Sequence, residues 1–379
     1  MVYVLNVLAE VAPAWVRAYV PAEWVERYGE RLEHERLPKE EEERKRYANQ
    51  VGADGWTLLS ALDAPSTADW LKTLPAVSTL RTIWDQQFEP RDQGGHWRLE
   101  PALPAGQVIN SPYDLDARYG KKRTTMWVGY KVHFTQTCEE DLPQLITQVE
   151  TTHAALPDGK ALSRVHADLA DKDLLPNQHL VDSGYIDAAN LHESQVSYEV
   201  DLVGPTLKHD WYQAGTDYDL THFSIDWEAE AVTCPQGHIS SSWTPAQDPK
   251  GRPVIKIKFS QSDCRACPSQ TACTGQNRRT LTLQPRERMQ ALLAARKRED
   301  TDAFKDTYRH RAGIEGTHSQ GTRTMGLRCS RYLGLPKTHL AHVAIATAMN
   351  LVQLSHWLNG EAPEQTRTSA FKRVMEQGA

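Results

Sequence analysis

NQHLVDSGYIDAANLHES, residues 177–194, is read as a strand, a turn and a helix in immediate succession. A short apolar run ends in the acid Asp182, Gly184 eases a turn, and a helical stretch follows. Residues 197–205, SYEVDLVGP, supply a further apolar strand. Strands that lead into helices imply an α/β core, with ligands gathered at the strand ends. A lone aspartate at such an end more often caps the next helix than does chemistry. Asp182 therefore needs a partner before it becomes a candidate.

Upstream, MWVGYKVHFTQT (126–137) alternates like a strand, and LPQLITQVETTHA (142–154) fits strand or helix. SPYDLDARYGKKR (111–123) is polar, turn-prone and basic after Asp116. Residues 1 to about 90 read as helices punctuated by Pro13, Pro21, Pro65, Pro75 and Pro90, with Trp15, Trp24, Trp56, Trp70 and Trp84 as packing anchors. The charged run LPKEEEERKRYA (37–48) reads as a solvated helix face, and DQGG (92–95) closes this helical region. The expected division is a helical region at 1–106, the first part of the core at 107–204, a cysteine-rich β insertion at 205–283, a helical completion at 284–360 and a polar tail at 361–379.

In the insertion, FSIDWEAEAVTC (223–234) and PVIKIKFS (253–260) alternate like antiparallel strands. Cys234-Pro-Gln-Gly-His238 and Cys264-x2-Cys267-x5-Cys273 place four of the six cysteines close together. Thiolates at that spacing favour tetrahedral Zn²⁺, with His238 as a replacement ligand. The alternative is a set of free, reduced cysteines, which is how Cys138 and Cys329 are read. The basic runs at 277–279 and 295–298 either touch DNA phosphates or are solvated helix faces.

The partner for Asp182 lies in YRHRAGIEGTHSQGTRTMGLRCSR, residues 308–331. At helical spacing Tyr308, Arg311, Glu315 and Ser319 share a face, with Arg311 one turn before Glu315. Between Lys305 and Lys337 seven Lys or Arg stand against Asp306 and Glu315, in a chain whose formal net charge is -6. One carboxylate in a positive field suits a metal ligand working on a polyanion, although a solvated helix with an Arg–Glu pair is the commoner use of such a pattern.

The Tyr308, Arg311, Glu315 spacing resembles the Tyr-Arg-Glu-Lys signature of DDE transposases from bacterial insertion sequences. IEGTHSQGTR (314–323) and GLRCSRYLG (326–334) are similar to one subgroup, and the similarity extends through SPYDLDARYGKKR, WVGYKVH, LVDSGY and the cysteines. The signature Lys is replaced: Thr322 stands there, with Arg323 next. The resemblance implies an RNase H-like fold and metal-dependent cleavage and transfer of DNA strands. It makes Asp182 and Glu315 the second and third acids on Mg²⁺ or Mn²⁺, and it implies action as a homodimer on paired transposon ends. Arg323, Arg328, Arg331 and Lys337 are the expected DNA contacts.

The first acid of that family lies on the first core strand, and no matching context precedes the helices here. The chain is therefore expected to be the C-terminal part of a transposase, with a separate N-terminal segment supplying strand and acid. Asp114 and Asp116 are the substitutes at hand, more often turn formers than ligands. A non-catalytic DNA-binding remnant and a zinc-stabilised protein-binding scaffold are the competing functions. Composition, with 40% hydrophobic and 24% charged residues, is that of an ordinary soluble chain and excludes a wholly basic DNA coat. No run is apolar enough for a membrane span, and residues 2–16 meet Glu10 too early for a signal peptide, so a cytoplasmic setting is expected.

Overall fold

The computed structural model describes residues 1–29, 38–90, 92, 95–100, 102–139, 141–207, 213, 215–249 and 251–360. It is a mixed α/β protein that divides into two compact units. The tail at 361–379 and parts of the 37–48 and 92–95 readings fall outside the described residues.

The first unit holds residues 1–132, 151–156 and 329–343. Its helices are α1 (Val2–Val11), α2 (Pro13–Tyr19), α3 (Trp24–Tyr28), α4 (Glu41–Asp63), α5 (Asp69–Lys72) and α6 (Pro75–Gln87). Prolines begin α2 and α6, where the missing N–H costs nothing. Leu8, Trp24, Leu58, Leu62, Val77 and Trp84 form its core. Gly52 and Gly55 let α6 approach α4, and the Trp84 indole donates to the Gly52 carbonyl at 3.0 Å. A Cβ on Gly55 would sit 2.0 Å from the Trp84 ring. Of the expected anchors, Trp70 is instead exposed, since α5 is one short turn that leaves it facing water.

β1 (Arg118–Lys122) pairs antiparallel with the start of β2 (Thr125–Gln136), so part of the expected turn region is a strand. β2 and β3 (Ile146–His153) each run from one unit into the other, and the sheet order is β1-β2-β3. The ambiguous 142–154 segment is thus a strand. Its Gln148, Glu150, Thr151 and Thr152 are buried, a polar content that hid any period-2 pattern.

The second unit contains α7 (Leu162–Asp171), β4 (Gln178–Leu180), α8 (Ala188–Tyr198) and β5 (Asp201–Val203). β4 and β5 are parallel, a pairing that needs a crossover such as the one α8 supplies, and Leu162, Val181, Ile186, Leu191 and Leu202 bury against one another. A second, antiparallel set follows: β6 (Ser224–Asp226) with β7 (Ala231–Thr233), then β8 (Ser242–Gln247), β9 (Pro253–Lys258) and β10 (Thr280–Leu283) in the order β10-β9-β8. Short helices α9 (Gln261–Ala266) and α10 (Gln270–Cys273) carry three of the clustered cysteines or their flanks. α11 (Arg286–Glu299), α12 (Asp302–Tyr308) and α13 (Ala312–Thr324) follow, and α14 (Leu335–Leu358) begins in the first unit and ends in the second. Among the described residues no helix is long and apolar enough to cross a membrane.

Candidate active site

Asp182 stands two residues past β4, at the N-cap of a 3₁₀ turn, Ser183–Tyr185. Its Oδ1 accepts the Ser183 N–H at 2.8 Å, while Asp187 caps α8 by accepting from Asn190. The two capping tasks are divided, and Asp182 keeps Oδ2 for other work. Glu315 lies in the first turn of α13. The expected continuous helix is interrupted by a 3₁₀ turn at Arg309–Arg311, which joins α12 to α13. The signature contacts survive the break: the Arg311 guanidinium lies 5.9 Å from the Tyr308 ring centroid.

α13 is fixed from both sides of Glu315. A Cβ on Gly313 would meet the far end of the Gln144 side chain at 2.8 Å, so that side chain lies close against α13. Thr317 Oγ1 donates to Gln136 of β2, and the His318 ring stacks on Phe134 with centroids 5.1 Å apart.

Arg311 joins the two acids. Its Nη1 is 3.1 Å from Glu315 Oε1, and its Nη2 is 3.7 Å from Asp182 Oδ2. The carboxylates remain open to solvent, with side-chain exposures of 55% for Asp182 and 71% for Glu315. Burial raises the Tyr308 hydroxyl pKa; Arg311 works against that, and the charges of Asp182 and Glu315 add to it. Tyr185 is likewise pushed up, first by burial and then by Asp158 and Asp182, and its hydroxyl meets His133 Nδ1. Asp158, in the 3₁₀ turn Asp158–Ala161, was not among the sequence candidates. A Cβ on Gly184 would lie 3.7 Å from its Oδ2, so this carboxylate faces the turn that Asp182 caps. The only signal was an acid before Gly159 just past a strand, a pattern shared with ordinary turns.

Asp114 and Asp116 do different work in the first unit. Asp114 is 8% exposed and accepts from the Tyr130 hydroxyl at 2.6 Å and from the N–H groups of Gly334, Asp116 and Ala117. Asp116 Oδ2 accepts from Leu335 N at 3.0 Å. Both thus serve the N-terminal end of α14, whose first donors lack intrahelical partners. Burial opposes the Asp114 charge, but its hydrogen bonds outweigh that and hold its carboxyl below the usual range.

Arg323, Arg328, Arg331 and Lys337 are exposed. The other two basic runs fit neither of the uses foreseen for them in full. Arg279 is buried at 6% exposure, and Arg298 binds both Asp201 oxygens and the Leu202 carbonyl. Among the described residues no three His, Cys, Asp or Glu side chains are placed as a ready metal site.

A family model described as "Transposase DDE domain" matches residues 233–355. This stretch is similar to that domain. It includes Glu315, its basic surroundings and the four clustered cysteines; Asp182 lies before it. No curated protein and no solved structure matches the chain.

Proposed function

We propose that the chain is a DDE-type DNA transposase with an RNase H-like core, in which Asp182 and Glu315 are the metal-binding acids. The observation that carries this reading is the single guanidinium of Arg311 in contact with both carboxylates, which come from elements more than a hundred residues apart. Open carboxylates match the needs of hard Mg²⁺ or Mn²⁺, which takes oxygen ligands and retains waters. Such an ion supplies charge neutralisation at the scissile phosphate and activation of the attacking oxygen. Asp182 and Glu315 would hold it, with Asp158 the carboxylate next to the Asp182 turn. Arg311 pairs with both acids, a contact that an incoming divalent ion would have to displace. Arg323, Arg328, Arg331 and Lys337 meet backbone phosphates, which gives register without reading sequence.

The test is nicking and strand transfer on a plasmid carrying the DNA that flanks the gene, with Mg²⁺ or Mn²⁺. Loss of activity in Asp182→Asn and in Glu315→Gln is expected; activity that survives both removes these acids from the mechanism. One observation favours a second reading, a DNA-binding remnant without turnover: the Asp114 carboxylate is consumed by four hydrogen bonds. That reading requires salt-sensitive DNA binding and no nicks with either ion.

A further inference from the structure

Cys234, Cys264, Cys267 and Cys273 line one cavity of the second unit, together with His238 and Arg279. They arrive from three separate pieces of chain. Cys234 directly follows β7 and starts a tight turn: Gly237 N–H donates to the Cys234 carbonyl at 2.8 Å, and Cys234 N–H to the His238 carbonyl at 2.9 Å. Gly237 has φ +83°, which favours glycine there. Cys264 lies in α9, Cys267 caps that helix in extended conformation, and Cys273 closes α10. All four are free thiols.

Arg279 is the observation that cysteine spacing does not contain. It is 6% exposed, its Nη1 donates to the Cys273 carbonyl at 2.9 Å and its Nη2 to the Tyr218 carbonyl at 3.2 Å. Its Nε has no hydrogen-bond partner, its guanidinium lies over the Phe223 ring with 5.4 Å to the centroid, and the charge of Asp219 acts on it in opposition to its burial. A buried guanidinium whose charge is only partly offset is costly. Four thiolates around Zn²⁺ carry a net charge of about −2, a buried dianion beside a buried cation.

We propose that Cys234, Cys264, Cys267 and Cys273 form a tetrathiolate Zn²⁺ site, with Arg279 as its buried counter-cation. The thiols turn inward about χ1 to ligate, a rotamer change that leaves the backbone turns in place. Each gives up its proton to solvent as its bond to zinc forms. Three of the four cysteines, Cys234, Cys264 and Cys273, already pack against the small core of Phe223, Val232, Ile257, Phe259, Leu281 and Leu283. The ion therefore ties the β7 end to the α9–α10 segment, where that core alone is thin. The site is independent of the nuclease reading.

The experiment uses the full chain. Elemental analysis is expected to give about one zinc per chain, with Cys138 and Cys329 titrating in the native protein and the other four thiols only after the metal is stripped. Replacement by Co²⁺ in the unmutated chain is expected to give the thiolate-to-cobalt absorption of four sulfur ligands, which needs no variant that might fail to fold. His238→Ala retains the zinc. Arg279→Met releases it to a chelator about tenfold more readily, from the lost attraction of one positive charge. Zinc-free protein with all six thiols titrating overturns the site, as does a disulfide among the four. A cobalt spectrum with nitrogen ligation overturns the ligand set, and unchanged zinc retention in Arg279→Met overturns the counter-cation.

Discussion

Replacing Arg311 by Gln separates two roles that its position allows. The guanidinium lies 3.1 Å from Glu315 and 3.7 Å from Asp182. In water each contact carries about 1 kcal/mol of Coulomb energy. Exposed pairs return only about 0.2–1 kcal/mol of that as stability, so the fold should hardly notice the change. A divalent ion feels it more. Placed about 4 Å from the guanidinium it meets a repulsion of about 2 kcal/mol, or about thirtyfold in affinity, before salt reduces it. Arg311→Gln is therefore expected to bind Mn²⁺ about tenfold more tightly at physiological salt, with little change in Tm. Water-proton relaxation titrated with Mn²⁺ measures this, and the Asp182→Asn, Glu315→Gln double variant supplies the background. Weaker Mn²⁺ binding in Arg311→Gln would refute the reasoning. Arg311 would then be holding the carboxylates in the shape the ion needs, and its charge would not be competing for their oxygens.

Three further outcomes follow from other parts of the chain. Asp114→Asn should lower stability by about 1–3 kcal/mol, since several bonds to a charged acceptor weaken together, and leave Mn²⁺ affinity unchanged; reduced affinity at constant Tm would make Asp114 a ligand. The Asp114 carboxyl is held below its ordinary value, so its contribution is present above about pH 4 and is lost as pH falls through the folded pKa, visible as a shallower acid limb in Asp114→Asn. Burial lowers the pKa of His166, His179 and His342 to about 4. Between about pH 6.5 and 4 the unfolded chain therefore takes up protons that the folded chain refuses, and Tm should fall steadily on acidification through that window. Gly55→Ala forces a methyl group into the Trp84 ring and should cost about 1–3 kcal/mol or more, read by chemical denaturation; a neutral result would mean that α4 and α6 are not packed as described.

Much of the fold was legible where chemistry is local. Pro13 and Pro75 mark helix boundaries, at the starts of α2 and α6, whereas Pro21, expected to open a helix, stands before α3, which begins at Trp24; alternation marks β9, and the strand–turn–helix at 177–194 appears as β4, a 3₁₀ turn and α8. What escaped depends on tertiary partners. β3 buries Gln148 and Glu150, whose neighbours Asp168 and Arg164 come from α7, and no local pattern announces such pairings. Trp70 looked like core until the brevity of α5 left it outside. The 3₁₀ turn at Arg309–Arg311 breaks a helix that composition alone would continue.

The acid site shows the same division. Asp182 and Glu315 stood out because a strand-end acid and an acid among arginines are unusual in sequence, and one guanidinium reaches both. Asp158 was silent because Asp-Gly after a strand is the commonest of turns, and only the fold brings its carboxylate against the Gly184 backbone. Asp114 and Asp116 looked similar to each other and to any turn; the donors they satisfy, on Gly334 and Leu335, lie more than two hundred residues later. Residue type thus nominates carboxylates, and what each one accepts decides among them. A carboxylate saturated by N–H and O–H donors has few lone pairs left for a cation. Asp182 and Glu315, open to water and contacted by one arginine, retain such lone pairs, and the proposed divalent-ion site rests on that difference.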